Sequence, residues 1–169
     1  THFKLNEVKR SAQNPEIRQL AIETLFNPNI LNSTSFKKKF PKIECHRHNN
    51  LVDVKKHLIK NLLTQIRSSD SSLKGEDCIL LIESSFLKGD YKGEPDMRYE
   101  LVAKDIEELN ESNVSDKSNK LRYTSILKFK GLERKNVFLV ITEPSDMNKY
   151  EIYVGITRAM LNIEINIIK

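Results

Sequence analysis

Five consecutive apolar residues, Cys78-Ile79-Leu80-Leu81-Ile82, stand between the serine- and glycine-containing tract 68–75 and the polar Glu83-Ser84-Ser85. An amphipathic helix spaces its apolar residues at 3.6 and a half-exposed strand alternates them. A short unbroken run therefore predicts a strand covered on both faces. Strands of that kind belong to parallel sheets, whose crossover helices lie on both sides. Val137-Phe138-Leu139-Val140-Ile141 has the same pattern. The two runs predict an α/β domain with Cys78–Ile82 central in a mostly parallel sheet.

The rest of the chain supplies helices and strands in alternation, as such a sheet requires. Asn14 as cap, Pro15 in the first turn, and Ile17, Leu20, Ala21 and Leu25 on one face predict a helix from Pro15 to Phe26, stopped by Asn27-Pro28. Lys37-Lys38-Lys39 between Phe36 and Phe40 reads as a solvated connection, and Ile43 to Arg47 as a short strand. Leu51, Val54, Leu58, Leu62 and Ile66, joined by Ile59 and Leu63, predict a long helix. After a loop from Lys88 to Pro95, a helix is expected from Asp96 to Leu109, with Val102, Ile106 and Leu109 inward. The polar stretch 111–120 precedes strands at Leu121–Ile126 and Val137–Thr142 and a helix at Lys149–Met160. In the closing strand, Leu161–Ile168, Leu161, Ile163, Ile165 and Ile167 alternate with Asn162, Glu164 and Asn166, the pattern of an edge or outer strand.

At 169 residues the chain is the size of one domain, 1–169, and long enough to bury its own core. A net charge of +5 suits a polyanionic partner. The two cysteines, Cys45 and Cys78, lie far apart with no metal-like spacing, which favours a reducing compartment over a disulfide framework. No apolar run reaches the roughly 18 residues of a membrane span and no signal peptide opens the chain, so a cytoplasmic location is expected. Cys45-His46-Arg47-His48 places successive side chains on opposite faces of a strand, and no second ligand cluster accompanies it. No metal site is assigned.

Chemistry concentrates in the last third. Ile152-Tyr153-Val154 is followed by Gly155, Thr157 and Ala159, small residues that let a helix pack closely while Arg158 projects. A guanidinium so held bonds two phosphoryl oxygens at once. In Lys130-Gly131-Leu132-Glu133, the glycine permits a tight turn, here expected to lead into a helix, with backbone amides facing an anion and Glu133 able to accept from a sugar hydroxyl. Taken alone, Arg158 reads as a surface arginine, and Lys128 and Lys130 are equally solvated lysines.

The ordered pair, KGLE followed about twenty residues later by YVGITRA, resembles motifs V and VI of UvrD/Rep-like superfamily-1 DNA helicases. That resemblance covers 121–169 and, more loosely, 4–22, where Lys4 to Ala12 is similar to motif IV. It implies a RecA-like three-layer domain, the C-terminal motor lobe of an ATP-dependent helicase. Arg158 is then the arginine finger of motif VI and Arg10 a second γ-phosphate contact. By the same resemblance Gly131 and Glu133 meet the nucleotide, while Ser125, Lys128 and Lys130 meet single-stranded DNA. Departures are plain. Val8 and Lys9 replace the usual asparagine and base-stacking tyrosine, Leu127 replaces a histidine, and Ser125 a threonine. No GxxxxGK[ST] loop occurs anywhere. ATP and Mg²⁺ are accordingly expected in a longer enzyme whose first RecA-like lobe, a further partner, holds them, and this chain alone is expected to be inactive. Beginning at Thr1 without methionine also reads as a piece of something longer. Two other roles fit the same residues: a degenerate lobe that binds DNA or a partner protein, and the motor lobe of a nuclease-helicase fusion active in DNA repair or defence.

Overall fold

The computed structural model describes residues 14–87, 98, 101 and 104–169. Six strands form one sheet: β1 (Glu44–His48), β2 (Cys78–Ile82), β3 (Ile106–Glu108), β4 (Leu121–Ser125), β5 (Arg134–Thr142) and β6 (Ala159–Ile168). Their order is β1-β6-β5-β2-β4-β3, and every pairing is parallel. As expected, β2 is interior. Its alternate residues enter two separate cores: Ile79 and Leu81 one, Cys78, Leu80 and Ile82 the other. That division is the physical content of the unbroken apolar run.

Helix α1 (Pro15–Phe26) and helix α3 (Lys149–Ile156) cover the first face; the helical stretch 51–67, α2, covers the second. The Asn14 carboxamide oxygen accepts from the Glu16 amide at 3.2 Å and Pro15 takes the first position of α1, so both sequence signals act at its start. Asn50 caps α2 by accepting from Asp53 N at 3.0 Å. A π-turn, Lys55–Ile59, interrupts α2 and brings Leu58 and Ile59 into the core together. Burial pushes the thiols of Cys45 and Cys78 up to about 11 and about 12, so neither is a reactive nucleophile. Among the described residues no helix is long and apolar enough to cross a membrane.

Four expectations are corrected. Ile106–Glu108 is a strand rather than the end of a helix reaching Leu109. It pairs with β4, and the nearly buried Arg122 on β4 donates from Nε to Glu107 Oε1 at 2.8 Å, so cross-strand pairing overrides the helical spacing. Lys37–Lys39 belong to a single helical turn, Phe36–Lys39, because Phe36 and Phe40 must both reach the core, their ring centroids 5.3 Å apart. Helix α3 stops at Ile156, three residues before β6 begins. Finally, β6 is an interior strand, between β1 and β5. Its polar alternation serves neighbouring strands rather than an edge. Asn162 donates to Asn136 Oδ1 at 2.9 Å, Asn166 Oδ1 lies 2.8 Å from His48 Nε2, and Glu164 Oε1 lies 3.4 Å from His46 Nε2. The expected loop Lys88–Pro95 lies outside the described residues.

Candidate functional site

At the N-terminal edge of the sheet, β5 and β6 start side by side, with Arg134 paired to Ala159. The chain reaches β5 through the Lys130–Glu133 loop and β6 through the turn that follows α3. Motifs separated by about twenty residues are thereby brought into contact. Arg134 N donates to Arg158 O at 3.1 Å, and Arg158 Nη1 donates to Leu132 O at 3.4 Å. Gly131 adopts φ +89, a left-handed turn that side-chain-bearing residues resist; an added Cβ would meet nothing within 4 Å, so dihedral freedom alone explains the glycine. This turn leads into a strand, not into the helix expected from the sequence.

Arg158 likewise lies beyond the helix rather than on it. Thr157 holds it there. The Thr157 hydroxyl donates to Val154 O at 2.8 Å, capping the helix end, and accepts from Arg158 Nε at 3.3 Å and Nη2 at 3.0 Å. Gly155 lets α3 approach β5 closely, since a Cβ there would lie 2.7 Å from Leu139 Cδ2. The small residues of the motif thus do what their sizes imply.

Between the start of α1 and the end of α3 lies a cleft of ≈ 350 Å³. Its apolar floor includes Ile17, Ala21, Tyr153 and Val154, and its charged groups are Arg18, Lys130 and Arg158. Among the described residues no carboxylate lines it. Three cations over an apolar floor, beside the N-terminal turn of α1, form a site suited to an anion that also carries an apolar part. Arg18 and Lys130 make no ion pair among the described residues.

The expected site residues divide between places. Arg158 and Lys130 meet in the cleft; Gly131 and Glu133 shape the loop behind it without lining it. Ser125 ends β4 at the opposite edge, is buried, and its hydroxyl accepts from Lys128 N at 3.2 Å, while Lys128 is exposed in the turn that follows. Arg10 lies outside the described residues. Arg18 escaped the sequence reading because nothing local marks it. Its one signal is position, four residues after the cap Asn14, which itself donates to Leu161 O at 2.9 Å and ties α1 to β6.

The sequence matches no protein-family model and no curated protein significantly. The fold does have a counterpart. It is similar to the C-terminal domain of a possible DNA helicase from Lactobacillus plantarum WCFS1, with a TM-score of 0.52 and 10% sequence identity, covering 75% of this chain and 74% of that one. Together with the six-stranded parallel sheet covered on both faces, this likeness identifies a RecA-like α/β fold. Among the described residues, no three His, Cys, Asp or Glu side chains are placed to hold a metal ion.

Proposed function

We propose that this chain is the C-terminal motor lobe of a UvrD/Rep-like ATP-dependent DNA helicase, whose cationic cleft meets the phosphates of an ATP molecule held by another lobe. The observation that carries this reading is the meeting of Lys130 and Arg158, one from each of the two motifs that resemble the helicase family, with Arg18 of α1 in one cleft that no described carboxylate lines. The fold likeness to a possible DNA helicase domain supports it.

In this reading Arg158 is catalytic and stabilises charge that develops on the γ-phosphoryl group. It is partly prepared for that task, because Thr157 and Leu132 O already hold the guanidinium, and phosphate oxygens offer stronger, charge-assisted acceptors than either. Lys130 and Arg18 add attraction without bidentate geometry at the lysine. Arg10 precedes α1 by a few residues and is proposed as a further phosphate contact; Glu133 is proposed at the ribose. Mg²⁺, bound with ATP, would neutralise phosphate charge from the other lobe, since the described lining of the cleft offers cations and no carboxylate. Ser125 and Lys128, at the far end of β4, are proposed to meet single-stranded DNA, away from the nucleotide.

The test is Arg158→Ala in the full-length protein. DNA-stimulated ATP turnover should fall by about 10³-fold or more, as when an arginine finger is removed, with nucleotide binding largely kept. The 169-residue chain should show weak, salt-sensitive tripolyphosphate binding that depends on Arg158, and no ATPase above background. Unchanged turnover in the variant sinks the assignment.

A further inference from the structure

We propose that Glu83 is a positioning residue for Arg158, acting through α3 from the opposite edge of the sheet. The proposal rests on the anion-binding reading of the cleft and adds to it a residue that no motif contains.

Neighbouring strands β5 and β2 send their chains in opposite directions, β5 to β6 on one side and β2 toward β3 and β4 on the other. Such a divergence leaves a crevice at the carboxyl ends of the two strands, the usual ligand position in an open α/β sheet. Here the chain fills it. Glu83 follows β2 directly and is 5% exposed. Its Oε1 accepts from Thr142 N at 3.3 Å, from Thr142 Oγ1 at 3.0 Å and from Asn148 Nδ2 at 2.9 Å. Its Oε2 accepts from Ser85 Oγ at 2.8 Å and lies 2.9 Å from Thr142 Oγ1. These partners, Thr142, Asn148 and Ser85, are all neutral. A buried carboxylate offset by several neutral donors is sensitive to where each donor sits, so the donors are held in turn.

What they hold is the first turn of α3. Asn148 is the residue preceding the helix, and its Oδ1 also accepts from Ser145 N at 2.8 Å. One turn further, Glu151 accepts from Ser84 N at 2.9 Å. Residues 83 and 84 therefore grip the helix start at Asn148 and Glu151. The helix is short, eight residues and about 12 Å long, with Ile152, Gly155 and Ile156 buried. Close packing of Gly155 on Leu139 opposes sliding over β5. At the other end Thr157 caps the helix and carries Arg158. Any shift of the grip is passed along a rigid element to the guanidinium.

The experiment uses the 169-residue chain, tripolyphosphate as probe, and the Arg158 Nε–Hε resonance together with affinity, under conditions where each variant is folded. Glu83→Ala should weaken binding by roughly 3- to 30-fold, the span of coupling through packed networks, and move the Arg158 resonance. Glu83→Gln should restore affinity to within about twofold, because the Ser85 and Thr142 hydroxyls can reverse from donors to acceptors. Should Glu83→Ala fail to fold, Thr142→Val, which removes one of the donors, is expected to show the same effects at smaller size. Ile66→Val, on the core-facing side of α2, controls for general destabilisation and should leave both readouts unmoved. If Glu83→Ala and Thr142→Val leave affinity and resonance unchanged while Arg158→Ala abolishes binding, the positioning role is overturned and the anion site stands. An equal shift in Ile66→Val also overturns it. If Arg158→Ala itself leaves tripolyphosphate binding intact, the underlying anion reading fails instead.

Discussion

The two edges of the sheet differ in how they treat charge. At the carboxyl edge Glu83 is buried and accepts hydrogen bonds from Thr142, Asn148 and Ser85, which occupy the crevice where ligands commonly enter an α/β sheet. At the amino edge three cations share a cleft that no described carboxylate lines. Helix α3 has one end at each. An internally satisfied carboxylate rigidifies and costs little once its donors are placed, whereas clustered like charges repel and are kept where a ligand can offset them. The contrast sets the buried carboxylate of Glu83 against the cationic cleft proposed to meet an anion, within one small sheet.

Changes to the helix between the edges should have the largest effect. Gly155→Val places a branched side chain against Leu139, with the first Cβ contact at 2.7 Å, and should cost about 2–4 kcal/mol in urea unfolding while also weakening polyphosphate binding. An unchanged unfolding midpoint would show that α3 is not seated as tightly as the contrast requires. Next come matched threonine substitutions. Thr142→Val removes a hydroxyl that meets both oxygens of the buried Glu83 carboxyl and should cost about 1–3 kcal/mol, against about 0.5–1 kcal/mol for Thr157→Val, whose hydroxyl meets the Val154 carbonyl and the Arg158 guanidinium. Equal losses would erase the distinction between the edges.

The smallest effect lies away from both. A hydrogen bond from Lys37 Nζ, 2.7 Å long, holds the Glu44 carboxyl below its ordinary 4.5. A depressed carboxyl contributes stability that is present above its unfolded value and lost as pH falls through the lower folded one. Lys37→Ala should therefore remove less than about 0.5 kcal/mol at neutral pH and flatten the acid limb below pH 4.5, read from unfolding midpoints between pH 3 and 6. A larger loss would mean that exposed charge pairs matter here as much as the buried network.

Much of this architecture was legible in the chain itself. The apolar runs at Cys78–Ile82 and Val137–Ile141 specified buried parallel strands, and Asn14-Pro15 placed the start of α1 correctly. Helical spacing misled at Ile106, where a three-residue strand beside β4 is too short to show a period of its own. Alternation misled at β6, since amide and imidazole partners on adjacent strands produce the same pattern as water. Arg158 and Lys130 stood out through their motifs, while Arg18 and Glu83 did not. What gives each its place lies on other elements: Lys130 and Arg158 line the same cleft as Arg18, and Thr142 and Asn148 bond Glu83.

Periodicity and turn chemistry are local properties, so the primary structure alone dictated where most strands and helices form, that β2 is covered on both faces, and which loop carries the left-handed Gly131. Strand order is not local. Placing β6 beside β5 is what joins Arg158 to the Lys130–Glu133 loop, and seating α1 against α3 is what adds Arg18. Both depend on which apolar faces bury each other, a choice made by packing over the whole sheet rather than by any segment's own pattern.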